Sequence, residues 1–187
     1  MPGINEIWTI GHSTHHLDGF VALLKPFRIE AVVDIRSFPG SRKFPHFNKA
    51  SLEWALPQYN LHYRHLKSLG GRRKASPNSK NTLWRHPAFR GYADFMETME
   101  FKEGILELEG VAARHRTVYM CAEALWWRCH RSMVSDYLKS RGWKVVHISG
   151  TGKAEEHRYT QPARIVDGTL RYHDGAIEFE NDKYMHN

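Results

Sequence analysis

Apolar, largely β-branched runs recur along this chain at residues 6–10, 31–36, 117–121 and 143–148, residues 61–66 could form a further strand, and helical periodicity fills most of the intervals between them. That alternation constrains the fold more than any other feature. A strand written as a continuous apolar run must be covered on both faces, and strands separated by helices are joined by right-handed crossovers that leave them parallel. The expected class is α/β: a mostly parallel sheet with helices on both faces, a three-layer Rossmann-like arrangement, closed by a C-terminal hairpin at 164–172 around Asp167-Gly168.

The intervals can be read in the same way. Leu17, Phe20, Leu23 and Leu24 place a helix over 16–27; residues 51–59 suit a short one ended by Pro57; and 128–141 returns to helical spacing. Residues 89–115 read as helix in two pieces, broken around Lys102-Glu103-Gly104. Residues 68–87, rich in Gly, Arg, Lys, Ser, Asn and Pro, read as a long irregular loop of the kind that is usually functional or mobile. A length of 187 residues suits one domain over 1–187, with 173–187 as a flexible tail.

Composition excludes several classes. With 41% hydrophobic and 12% aromatic residues the chain is not disordered, and no run approaches the roughly 18 apolar residues of a membrane span. The first residues lack a secretory pattern and two cysteines are too few for a disulfide framework, so a cytoplasmic protein with reduced thiols and no membrane association is expected. The formal charge of +7 points weakly to anionic partners, nucleic acid or another phosphate-bearing ligand. Its distribution is more telling: twelve Lys and Arg lie between Arg36 and Arg90, opposed only by Glu53, whereas Glu155, Glu156, Asp167, Asp174, Glu178, Glu180 and Asp182 make the C-terminal stretch acidic.

Sites in parallel sheets lie beyond the carboxyl ends of the strands, where strand order switches. Three chemically loaded segments end strands here: Gly11-His12-Ser13, Asp34-Ile35-Arg36 and Cys121-Ala122-Glu123. The third continues through Trp126-Trp127 to Cys129-His130-Arg131, a helix start whose free N–H groups and dipole favour an anion. Arg131 and Arg36 are candidate anion clamps, and His130 is a candidate proton carrier. Cys121 and Cys129 are either nucleophiles or small buried hydrophobes. A phosphatase-type Cys-x5-Arg loop would need arginine where Trp127 stands, and seven residues between the cysteines is poor zinc spacing. The weight therefore falls on Glu123, His130 and Arg131, with the cysteines shaping the turn; neither metal nor cofactor is called for.

His12 is a candidate acid or base, with Asp34 to orient it or activate water, although Asp34-x-Arg36 reads equally well as an ion pair tying a strand end to its loop. Ser13 and Ser41 are further candidate anion contacts. In the basic loop, Gly70, Gly71, Arg72, Arg73, Trp84 and Arg85 combine flexibility, charge and an aromatic ring, which suits phosphate tracking with base stacking or else a solvated loop. Trp127 is a candidate stacking platform, and His157 could join from the C-terminal segment.

These residues carry a resemblance. Thr9-Ile10-Gly11-His12-Ser13, Asp34-Ile35-Arg36 with Pro39 and Ser41, Pro45-His46-Phe47-Asn48, Leu69-Gly70-Gly71-Arg72-Arg73, Asn81-Thr82 with Trp84-Arg85, and Phe89-Arg90-Gly91-Tyr92-Ala93 form an ordered series. It continues through Cys121-Ala122-Glu123-Ala124 and Trp127-Arg128-Cys129-His130-Arg131 to Glu156-His157 and Thr160. Over about residues 7–172 the chain resembles the bacterial domain-of-unknown-function 488 family. The resemblance implies a shared α/β fold and polar site and supplies no reaction. Trp126 stands where members often carry proline, and Tyr159 where they often carry leucine; both bear on the pocket lining.

The reading these features favour is an enzyme acting on a nucleic acid or nucleotide, with the basic loop on phosphates and the strand-end cluster performing acid-base or hydrolytic work. The alternative is a DNA- or RNA-binding module without chemistry, and a third reading is a thiol redox or metal-binding protein. Oligomeric state is not written in the sequence.

Overall fold

The computed structural model describes residues 5–174, so most of the tail expected at 173–187, with Glu178, Glu180 and Asp182, lies outside the described residues. Eight strands run β1 Glu6–Gly11, β2 Ala31–Asp34, β3 His62–His65, β4 Thr117–Cys121, β5 Lys144–Ile148, β6 Ala154–Glu156, β7 Arg164–Val166 and β8 Thr169–Arg171. Five α-helices accompany them: α1 Leu17–Leu24, α2 Lys49–Ala55, α3 Pro87–Met96, α4 Met99–Ala112 and α5 Arg131–Ser140.

The first six strands form one sheet in the order β3-β2-β4-β1-β5-β6, parallel except for β6 at the edge, while β7 and β8 form a separate antiparallel hairpin. The α/β class and the C-terminal hairpin are as expected. Asp167 and Gly168 both adopt positive φ, 49° and 74°, as a two-residue hairpin turn demands. The apolar strands have a core on each side. Phe20, Val21 and Leu24 of α1 and Leu52 of α2 pack on one face with Trp8, Ile10, Val32, Val118 and Met120. Residues from α3, α4 and α5, among them Tyr92, Phe101, Ile105, Met133 and Leu138, pack on the other with Ile7, Val33, Tyr119 and Val145.

Two elements differ from the sequence reading. The break between α3 and α4 falls at Thr98, whose Oγ1 accepts the Phe101 N–H as an N-cap, and not at Gly104. Gly104 sits inside α4 because a Cβ there would lie 2.7 Å from Ser68 Oγ and 2.9 Å from Leu69; the glycine admits close packing rather than ending the helix. Strand β6 was not foreseen, since Ala154-Glu155-Glu156 carries no apolar pattern and is exposed throughout; it is held by pairing with β5 and by the side-chain contacts of Trp126 with Glu155 and Lys139 with Glu156.

The strand order positions the site. The α1 and α2 connections leave β1 and β2 on one face, whereas the α5 connection leaves β4 on the other. Strand β4 lies between β1 and β2, so its carboxyl end has a switch point on each side. The pairing continues beyond the strands, with His12 N–H on Cys121 O at 2.9 Å, Ser13 N–H on Ala122 O at 3.0 Å and Ile35 N–H on Met120 O at 3.0 Å. All three loaded segments are thereby fixed side by side.

Candidate functional site

A cleft of about 510 Å³ opens over the carboxyl end of β4. Cys121, Ala122 and Glu123 come from the strand end, Arg128, Cys129 and His130 from the approach to α5, and Arg36, Ser37 and Phe38 from the end of β2. Gly71 and Arg72 of the basic loop and His86, Ala88, Phe89 and Tyr92 at the start of α3 complete the wall. Glycine is required at one point beside it and eases a tight approach at another. A Cβ on Gly11 would lie 1.8 Å from Glu123 O, and one on Gly71 would lie 3.0 Å from His130 Nδ1.

Asp34 is fully buried and receives four donors: the Arg36 backbone N–H at 3.0 Å, Arg36 Nε at 2.8 Å and Nη2 at 2.6 Å, and the Tyr63 hydroxyl at 2.8 Å. Arg36 Nη2 also donates to Phe47 O at 2.7 Å, and Nη1 to His12 Nε2 at 3.2 Å. Arginine is only a donor, so His12 Nε2 accepts and its Nδ1–H donates to Ser13 O at 3.0 Å. Phe47 stacks on the imidazole at 4.2 Å. Both nitrogens of His12 are thus committed, and burial together with the Arg36 charge lowers its pKa to about 4. The Asp34–Arg36–His12 group sits behind the cleft as a brace, with four of the five Arg36 N–H groups used and one left at the cleft wall.

A second group surrounds the sulfurs. Cys121 Sγ and Cys129 Sγ are 2.7 Å apart as free thiols. Arg131, 1% exposed, donates from Nε to Cys121 Sγ at 3.0 Å, from Nη1 to Thr9 Oγ1 at 2.9 Å and from Nη2 to Glu123 O at 2.6 Å. It anchors the strand-end loop to the sulfur pair and does not line the cleft. His130 Nε2–H donates to Ile35 O at 3.0 Å, which leaves its Nδ1 lone pair facing Cys129 Sγ at 3.4 Å. Burial lowers the His130 pKa. For Cys129 burial opposes ionisation, but the hydrogen bond from the Cys121 thiol and the charge of Arg131 prevail and bring it to about 7; burial pushes Cys121 well up. One proton is in effect held on the inner sulfur, and the ionisable one faces the cleft at the approach to α5.

A family model described as "Domain of unknown function DUF488" matches residues 16–138. The chain belongs to the DUF488 family. No curated protein and no solved structure matches it. The matched span holds the Asp34–Arg36 pair, the basic loop and the whole segment from Cys121 to Arg131, while His12, Ser13 and His157 lie outside it.

The remaining candidates in this DUF488 chain disperse. Ser41 shapes a turn, its N–H on Asn48 Oδ1 and its Oγ accepting from Phe44 N–H at 3.1 Å. Ser13 has a positive φ of 48° and pairs its backbone with Ala122. Arg73 turns away, over the Phe95 ring and onto Glu100 at 3.1 Å, and its Nε donates to Gly70 O. Trp84 stacks on Phe89, and Arg85 is exposed. Trp127, 52% exposed, packs edge-on against Trp126 outside the cleft, and Trp126 covers His147 at 4.2 Å. His157 belongs to a separate buried network: its Nε2 meets Asp136 Oδ1 at 2.9 Å, its Nδ1 meets His147 Nε2 at 2.9 Å, and the Tyr172 and Thr160 hydroxyls also bond to Asp136. Tyr159 lies under Lys139 on that side of the molecule.

The cleft also holds residues that the sequence reading did not name as site candidates. Arg128 stood in the Trp127–Arg131 motif without a role and could have been found as the neighbour of Cys129, and Phe38, 65% exposed two residues after Arg36, as an aromatic ring at a strand end. Tyr92 stood in the Phe89–Ala93 motif without a role assigned to it, and His86 gave no signal, since only the packing of α3 brings them there. No helix among the described residues is long and apolar enough to cross a membrane.

Three buried histidines held neutral, His12, His130 and His147, carry a consequence for stability. The unfolded chain takes up a proton on His12 as pH falls through about 6.5, and the folded chain refuses it until about 4. Stability from this group is therefore complete above about pH 6.5 and is lost toward pH 4, by about 3 kcal/mol. Urea denaturation across that range should show the loss, and His12→Gln should reduce its slope; a flat profile would contradict the assignment.

Proposed function

We propose that this DUF488 protein is an enzyme of hydrolytic type that acts on a phosphate-bearing substrate, a nucleotide or a nucleic-acid end, with Cys129 as nucleophile. The observation that carries the reading is the Cys129 thiol, ionising near pH 7, on the wall of a cleft shared with Arg36, Arg72 and Arg128. Arg72 and Arg128 have no carboxylate within salt-bridge distance among the described residues, and both are exposed. Phe38, with the Arg72 guanidinium 5.8 Å above its ring, offers a face for a planar base.

In this reading the phosphate rests on the arginines while the thiolate attacks the electrophilic centre of the substrate. A Cys129–substrate bond forms as the leaving group departs with the proton that His130 Nδ1 took from the thiol, and water then cleaves the covalent intermediate and restores the thiol. Arg131 and Asp34 are positioning residues, since their side-chain bonds go to the protein.

AMP and inorganic phosphate serve as probes: millimolar concentrations should slow alkylation of Cys129 by iodoacetamide. Arg72→Ala and Arg128→Ala should each weaken that protection about tenfold, the loss of one charge-assisted contact. If neither AMP, inorganic phosphate nor a short single-stranded oligonucleotide protects Cys129, the substrate assignment fails. Nucleic-acid binding without chemistry is a second reading, favoured by the exposed Phe38 beside Lys67 and Arg72; it predicts salt-dependent oligonucleotide binding that survives Cys129→Ser.

A further inference from the structure

Hydrolysis by a single cysteine does not account for the second sulfur. Cys121 is 2% exposed, keeps its proton, and lies behind Cys129 at 2.7 Å, inside ordinary non-bonded contact and a short movement from the roughly 2.05 Å of a disulfide. A buried thiol that served only as a small apolar filler would not need the Arg131 guanidinium on its sulfur at 3.0 Å, a contact that stabilises negative charge developing there. The two sulfurs come from the end of β4 and the approach to α5, and the continued backbone pairing at Cys121 O together with Arg131 fixes their approach. Such an arrangement has the parts of an attacking and a resolving cysteine: an ionisable thiol at the cleft and, against its sulfur, a more deeply buried thiol that keeps its proton.

We infer that Cys129 and Cys121 form a peroxide-reactive pair that closes reversibly to a disulfide. The Cys129 thiolate attacks the distal oxygen of a hydroperoxide; the S–O bond forms, the O–O bond breaks, and the alkoxide leaves as an alcohol with the proton from His130. The Cys121 sulfur then attacks the sulfenic sulfur. The S–S bond forms, the S–O bond breaks, and hydroxide leaves as water with the Cys121 proton. Two thiols and one hydroperoxide give one disulfide, one alcohol and one water, and a dithiol reductant returns both thiols. The functional consequence rests on the enzymatic reading above: the disulfide removes the nucleophile, so oxidation silences the cleft until reduction. The disulfide itself requires no substrate and is tested without one.

The full-length protein is treated with a few equivalents of hydrogen peroxide, quenched, denatured, alkylated and weighed intact. The expected product has lost two hydrogens, takes up no alkyl group, and regains both thiols with dithiothreitol. Cys121→Ser should stop at the sulfenic acid, seen as a dimedone adduct on residue 129, and Cys129→Ser should leave Cys121 unmodified over the same period. Two alkylatable thiols in the treated wild-type protein would overturn the inference, as would over-oxidation of Cys129 to the sulfinic acid with Cys121 still free. Either failure leaves phosphate protection of Cys129 standing, whereas a disulfide without such protection would sink only the substrate assignment.

Discussion

Replacing Asp34 by alanine is expected to cost about 3–5 kcal/mol of folding stability, the range for removing one partner of a buried ion pair. The residue reads on paper as a candidate catalytic carboxylate, but its four donors are the Arg36 backbone N–H, two guanidinium nitrogens and the Tyr63 hydroxyl, all fixed protein groups. Removing the carboxylate leaves the Arg36 guanidinium, 8% exposed, without its counter-ion, and leaves the Tyr63 hydroxyl without an acceptor. For a chain of this size the loss corresponds to a fall in Tm of about 10 °C. Asp34→Asn should recover part of it, because an amide oxygen still accepts from Tyr63 or Arg36. Thermal unfolding of the three proteins settles the matter: a fall of less than about 1 kcal/mol in the alanine variant would mean that Arg36 reaches solvent or a second anion, and that the brace behind the cleft is not what positions it.

The fold was more legible than the site, for a physical reason. Residues 31–34 and 117–121 are buried on both faces of a parallel sheet, and that environment writes itself into the chain as uninterrupted apolar runs. The convergence of Gly11-His12, Asp34-Arg36 and Cys121-Glu123 followed from strand-end position alone. What each side chain does there depends on orientation, which no linear pattern records. Arg131 looked like an anion clamp at a helix start, yet it turns beneath the loop to Thr9 and Glu123. His157 looked like a late arrival at the site, yet it joins Asp136 and His147 away from the cleft.

Charge shows the same limit. The basic run between Arg36 and Arg90 reads as an open phosphate track because only Glu53 interrupts it in sequence. In space, helix α4 and the turn before it supply carboxylates to it: Glu107 meets Arg64, Glu100 meets Arg73 at 3.1 Å, and Glu97 meets Lys80 at 3.2 Å. Asp94 gathers the loop backbone at Ser76 and the side chains of Ser79 and Asn81. The loop is therefore a held structure; of its exposed cations outside any ion pair among the described residues, Lys74 and Arg85 lie off the cleft and Arg72 lines it, which argues for a compact anionic ligand there over a long tracked strand.

Cys129→Ser is expected to lower turnover of a phosphate-bearing substrate by about 10³-fold or more while leaving protein stability and phosphate binding nearly intact, the pattern for loss of a nucleophile. The thiol can be examined before any substrate is known. Alkylation of the wild-type protein by iodoacetamide should titrate with a midpoint near 7, and Cys129→Ser should abolish that phase. The midpoint is the informative quantity, because a lowered pKa also weakens the attacking sulfur and partly offsets the gain in thiolate at neutral pH. Cys121→Ala removes the S–H that bonds to the Cys129 sulfur, so the midpoint should rise by about one unit or more as burial regains control. His130→Ala should leave the midpoint closer to wild type while slowing proton transfer, since the imidazole is itself buried and held mostly neutral. A midpoint near 9 in the wild-type protein would return Cys129 to the class of buried, inert thiols and leave Arg72, Arg128 and Phe38 as a binding surface without a nucleophile.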